Sequence, residues 1–163
     1  MNIDKITWSA ITSRIADTLP ACDVVRTYDP EKSLGELDEL TKTTVLVCLA
    51  GKVSTMVSQK DVREDFEFRI FAVDYIESQD DAEKTAEMDA LLTLPPTIYD
   101  ACAFQNLNVT EGNETLNIKL IAGDDYTVEY LTTYETFIAC ISLKVSVIRQ
   151  NVPTIQTTPT TTS

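Results

Sequence analysis

Apolar residues recur along this chain with two periods, and the period marks out helices and strands. Trp8, Ile11, Ile15 and Leu19 are spaced three, four and four apart, which stacks them on one face of a helix predicted over residues 4–19 and stopped before Pro20. Residues 22–28 favour a short strand. Leu34, Leu37 and Leu40 recur every three residues in an acidic stretch from Asp29 to Glu39, which admits a helical turn, but the stretch as a whole reads as a loop. Residues 43–50 form a nearly continuous apolar run rich in β-branched side chains, as in a strand covered on both faces, and Gly51 ends it. From Lys52 to Asp65 polar residues mix without a period, which predicts a long mobile loop.

Strict alternation returns at residues 66–76. Phe66, Phe68, Ile70 and Ala72 fall on one face of a strand, and Phe71, Val73 and Tyr75 on the other. Asp80 followed three residues later by Glu83 is a capping-box pattern, and it opens a helix predicted to run to Thr93 and to be stopped by Pro95-Pro96. Ala82, Ala86 and Ala90 give that helix a narrow small-residue face, and Met88, Leu91 and Leu92 a larger one. Residues 98–104 fit either a helical turn or a strand. Residues 106–113 read as a strand entering a turn at Gly112-Asn113, with 115–121 as its hairpin partner and a further turn at Gly123-Asp124-Asp125.

The last element is a long strand over 134–148. Phe137, Ala139, Ile141, Leu143, Val145 and Val147 occupy its apolar face, and Cys140, Ser142, Lys144 and Ser146 its opposite face. Strands usually run five or six residues, so this one is expected to reach beyond the core toward a neighbour. The elements amount to an α+β fold, a mainly antiparallel or mixed β-sheet flanked by two helices. One domain is expected over residues 1–149, followed by a flexible, uncharged, Thr-rich tail over 150–163.

Composition narrows the function. With 26 acidic and 13 basic side chains the net charge is -13, a field that repels polyanions and disfavours binding along nucleic-acid phosphates or on an anionic membrane. The four cysteines, Cys22, Cys48, Cys102 and Cys140, are widely spaced among apolar neighbours without a C-x-x-C unit, which predicts buried free thiols in a reducing compartment. No export signal and no run of about 18 apolar residues is visible, so the protein is expected inside the cell and out of the membrane. The N-x-T matches at Asn108 and Asn113 are then chance.

Candidate chemistry is sparse. The chain has no histidine, which removes the commonest general base and metal ligand, and with four glycines it holds none of the familiar phosphate-cradling loops. Three carboxylate clusters, Asp29 with Glu31, Asp80 with Asp81, and Asp124 with Asp125, lie in polar stretches where a solvated turn or a helix cap explains them better than a metal. We therefore expect no catalytic residue, no cofactor and no metal, and hence no enzyme. Lys60 and Arg63, flanked by Asp61, Glu64 and Asp65, are the local basic pair of the polar stretch, and such charges at a subunit boundary would fix register and partner choice.

The order of elements resembles that of the tail terminator (tail completion) proteins of long-tailed bacteriophages, the family of the lambda minor tail protein U. The similar part centres on residues 45–94: an apolar strand ending near Gly51, a polar stretch carrying Arg63, the strand from Phe66 to Ile76, and a helix opened by Asp80. With the first helix and the last strand it spans most of residues 4–149. The resemblance implies a structural virion protein whose subunits close into a ring, six-fold in well-studied members, that stops growth of the tail tube and offers a surface to the head. The implied partners are other copies of the chain, the tail tube protein and a neck or head-closure protein, with DNA passing through the channel unbound. In such proteins the polar loop faces the channel, which makes Gln59, Lys60 and Arg63 channel or subunit-contact candidates. The Thr-rich tail and the acidic stretch from Asp29 to Glu39 depart from the pattern and leave room for another head-tail connector role. A small soluble adaptor that binds a protein through its Thr-rich tail is the reading from a different class.

Overall fold

The computed structural model describes residues 2–35, 43–57, 61–76, 80–102, 106–111, 114–119, 128–133 and 136–150. In chain order the elements are α1 (Ile3–Thr18), β1 (Asp23–Thr27), α2 (Pro30–Gly35), β2 (Thr44–Met56), β3 (Asp61–Tyr75), α3 (Asp81–Leu91), α4 (Leu94–Cys102), β4 (Asn106–Glu111), β5 (Glu114–Lys119), β6 (Val128–Thr133) and β7 (Thr136–Gln150). The strands form one sheet in the order β1-β2-β3-β7-β5-β4, and β6 also pairs with β7. β1 runs parallel to β2 and every other pairing is antiparallel, so the fold is α+β with a mixed sheet.

The helix predicted over 4–19 is α1. Asn2 caps it, its side chain accepting the Lys5 amide proton, and Leu19 closes its other end. Trp8, Ile11 and Ile15 are buried against Phe66, Phe68 and Ile70 of β3 and Ile141 and Leu143 of β7. Burying each such side chain contributes about 1.5–3 kcal/mol. The indole N–H of Trp8 donates to the Val47 carbonyl at 2.9 Å and so ties the helix to β2. Asp80 caps α3 as its spacing predicts, accepting from the amides of Ala82 and Glu83.

Three expectations are corrected, and one choice left open is settled. Residues 52–57 and 61–65 are not a loop: Gly51 does not end β2, which continues to Met56 in register with Asp61–Asp65 of β3 after an irregularity between Leu49 and Gly51. The β-branched Val53, Thr55 and Val62 supply the propensity, and a bulge absorbs the mismatch that interrupts the apolar pattern. Pro30–Gly35 is a short helix, with Asp29 accepting the Lys32 amide at its start. Pro95-Pro96 opens α4 and does not merely stop α3, because the first turn of a helix needs no amide donors. Within 98–104, residues 98–102 are helical, and Ile98, Ala101 and Cys102 are buried.

The hairpin expected from residues 106 to 121 is present as β4 and β5, and the long last strand is present as β7. Leu37, Leu40, the turns at 112–113 and 123–125, and the tail over 151–163 lie outside the described residues. No helix among the described residues is long and apolar enough to cross a membrane.

Candidate assembly surface

Strand length exceeds helix length in this fold. β3 and β7 are 15 residues each, about 50 Å when extended, whereas the 16 residues of α1 span about 24 Å. Glu64 and Phe66 of β3 and Val145 and Val147 of β7 are nonetheless buried, so the exposed end belongs to β2. Along β2 the change is abrupt: Thr44–Cys48 are buried and Lys52–Met56 are exposed. The end of β2, paired with the start of β3, makes an arm, with Val53 63%, Met56 76% and Val57 61% exposed near its tip.

The arm's two faces carry different networks. On the α1 side, Lys52 Nζ lies 2.7 Å from Asp4 Oδ1 and 3.0 Å from Glu64 Oε1, and sits over the Phe66 ring at 5.3 Å. Chiefly the hydrogen bond to Asp4, and then that to Glu64, raise the lysine pKa against the opposing effect of burial. Glu64 is buried, and its Oε2 has no hydrogen-bond partner within the described residues.

On the opposite face, Arg63 donates from Nε to Asp65 Oδ1 at 2.8 Å and from Nη2 to Ser146 Oγ at 3.1 Å, and Ser146 donates to the same carboxylate. Burial alone would raise the Asp65 pKa. The hydrogen bonds from Ser146 and Arg63 and the guanidinium charge outweigh it and hold the carboxyl below its ordinary range. Farther along this face Glu67 stands opposite Lys144, and Arg69 opposite Ser142; the Arg69 and Lys144 side chains are exposed.

Of the sequence-predicted contact residues, Arg63 is on β3 and exposed, locked to Asp65 and Ser146. Gln59 and Lys60 lie outside the described residues. Sequence reasoning missed the Asp4–Lys52–Glu64 network, because residues 48 and 60 positions apart meet only once the hairpin continues past Gly51. The signal available for it was the alternation Lys52, Ser54, Met56 against Val53, Thr55.

Other polar groups are engaged in structural roles. Asp29 and Asp80 act at helix starts. Asp124 and Asp125 lie outside the described residues. Among the described residues, no group of three or more His, Cys, Asp or Glu side chains is arranged to hold a metal ion. A cleft of about 430 Å³ opens between the end of α1, the ends of β2 and β3, and α3, lined among others by Leu19, Cys22, Asp74, Tyr75 and Leu91. Its carboxylate at Asp74 is bonded to the Thr43 hydroxyl and to the Tyr75 amide. The four cysteines are free thiols. Burial pushes Cys102 up to about 12 despite Arg14 nearby, and burial, then the charges of Asp74 and Asp23, raises Cys22. Thiols held protonated in this way are poor nucleophiles.

No family model matches the chain, and no curated protein matches it. Solved structures do match; one of them, a protein whose name carries no function, is 15% identical over 90% of this chain and 96% of its own, with a TM-score of 0.42.

Proposed function

We propose that this chain is a non-enzymatic virion subunit that closes into a homo-oligomeric ring, six-fold by resemblance, caps the tail tube of a long-tailed phage and offers the joining surface for the head. The observation that supports this reading is the arm, in which β2 runs on past its buried part in register with β3 and ends in exposed Val53, Met56 and Val57. A monomer gains nothing from holding such a surface in water, whereas a subunit that contacts a neighbour buries it. Rings need contacts between two different surfaces of each subunit, and an arm on one side of a sheet meets that need. A charge of -13 per copy, repeated around a channel, keeps passing DNA from sticking.

The partners in this reading are other copies of the chain, the tail tube protein and a neck or head-closure protein. The test is negative-stain microscopy of the purified protein added to isolated tails made without it. Capped tubes of uniform length that then join heads are the expected result. Tails that reach normal length and join heads in its absence would refute the reading.

A further inference from the structure

β2 has an open side. Parallel β1 covers that side only as far as Cys48, whose partner is Thr27, and among the described residues Leu49–Met56 pair on the other side alone, with β3. Sheet edges are ordinarily guarded by charge, proline or shortness. Here Val53, Ser54, Thr55 and Met56 carry neither charge nor proline, and all four are exposed. Lys52 does not guard the edge, because its ammonium is held by Asp4 and Glu64 on the α1 side. The open row of backbone donors and acceptors is therefore flanked by the exposed side chains of Val53, Met56 and Val57.

The chain holds a segment that fits this edge. β7 ends at Gln150, paired with Asp61 at the start of β3 and so at the tip of the arm, and residues 151–163 continue from there outside the described residues. Within them Thr154-Ile155-Gln156-Thr157-Thr158 is uncharged, and four of its five residues are β-branched. Pro153 and Pro159 bound it and, lacking an amide donor, limit strand pairing to these residues, a stretch as long as Lys52–Met56. We infer that residues 154–158 of one copy add as a strand to the open edge of β2 in the next copy around the ring. This rests on the ring reading above and names its contact. In such an addition the backbone supplies the affinity, and an uncharged segment meets no repulsion from a chain whose net charge is -13. The C-terminal segment of the same copy does not reach. The edge lies three strand spacings from β7, about 14 Å. The residues between Gln150 and Thr154 span about 14 Å only when straight, with nothing left to round the end of the β2–β3 hairpin. Donor segment and acceptor edge are different surfaces, so the contact is head-to-tail and propagates in one direction until it closes.

The test uses the full chain with substitutions that leave the core untouched. Ile155→Pro removes a donor from within the segment, and Thr161→Pro, beyond Pro159, is the control; circular dichroism checks that each folds as the wild type does. Assembly is followed by sedimentation velocity, alone and on isolated tails. Ile155→Pro is expected to associate at least tenfold more weakly than the wild type, and Thr161→Pro to match it. The occupant of the edge is read by mixing a Thr55→Cys chain with a differently tagged Gln156→Cys chain under mild oxidation. A disulfide between the two substituted positions of different chains, identified by peptide mass mapping, is expected. A wild type that forms rings while Ile155→Pro assembles equally well overturns this contact and leaves the ring reading standing. So does a disulfide that forms only within a chain carrying both substitutions. A wild type that remains a monomer both in solution and on tails overturns both.

Discussion

Trp8 of α1 and Val47 of β2, 39 residues apart, are joined by a 2.9 Å hydrogen bond from the indole N–H to the backbone carbonyl, inside the core. The contact orients the helix on the sheet, since Tyr28 meets the same indole edge to face at 4.6 Å and Arg26 sits over it at 5.8 Å. Trp8→Phe keeps an aromatic body but removes the donor, and is expected to cost about 1–3 kcal/mol. Trp8→Ala, which also leaves a cavity, is expected to cost about 3–5 kcal/mol. Trp8 is the only tryptophan, so urea unfolding is followed by circular dichroism.

Asp65 gives a pH dependence of known sign. Its carboxyl is held below the ordinary range in the folded protein, so its contribution is complete above the unfolded-state pKa, near 4, and is lost as pH falls through the lower folded-state value. The pair with Arg63 is exposed, and the contribution is under about 1 kcal/mol. Asp65→Asn is expected to lower the urea midpoint slightly at pH 7 and to flatten its decline below pH 4. Equal declines in variant and wild type would exclude the Arg63 and Ser146 bonds as its source.

The sequence made the core legible and the arm not. The periodicities that placed α1, the 66–76 part of β3 and β7 are products of burial, and wherever one face is buried the pattern records it. Residues 52–56 pair with 62–66 with little burial on β2, so backbone hydrogen bonding holds them there, and the alternation of Lys52 and Ser54 with Val53 and Thr55 is too weak a hydrophobic pattern to mark the strand. The same reason hid Lys52 with Glu64: the pair is set by register across a hairpin. Pro95-Pro96 was legible as an interruption, but whether an interruption ends one helix or opens another depends on what packs next, here Ile98 and Cys102 against the core. Arg14 completes that junction by donating to the Ala101 carbonyl at 2.9 Å near the end of α4.

Asp80 controls the integrity of α3. Its side chain accepts from the Ala82 and Glu83 amides at 2.9 and 3.3 Å, and Asp80→Ala is expected to destabilise by about 0.5–2 kcal/mol. Because α3 buries little of its own surface, the loss should appear first as faster amide exchange in residues 81–86, with exchange in β3 and β7 changed far less. Uniform acceleration across the sheet would mean that α3 is coupled to the core more tightly than its burial implies.

Cys102 is fully buried in α4, and its thiol is pushed up to about 12. Alkylation of the native protein at pH 8, read by peptide mass mapping, is expected to leave Cys102 unmodified while the half-buried Cys22 reacts slowly. After unfolding in urea both should react at similar rates, since the protection comes from burial.

Lys52 and Glu64 offer the sharpest test of the arm. The Glu64 side chain is 8% exposed, its Oε1 is 3.0 Å from the Lys52 ammonium, and its Oε2 lacks a partner within the described residues, so Lys52 supplies most of the compensation for burying this carboxylate. Lys52→Met removes that compensation and is expected to cost about 1–3 kcal/mol. Adding Glu64→Met removes the buried charge as well, and an apolar pair in place of an ion pair is often neutral, so the double variant should recover most of the loss. The lysine pKa is raised in the folded protein, which fixes the sign of its pH dependence: the contribution is intact below the ordinary value of 10.5 and disappears as pH rises through the higher folded-state value. Urea unfolding of the wild type, the Lys52→Met variant and the double variant at pH 7 and pH 11 reads both effects. The cost of Lys52→Met should be smaller at pH 11, above the ordinary lysine value, where this contribution starts to decline. A double variant less stable than Lys52→Met alone would show that Glu64 is held by contacts other than Lys52.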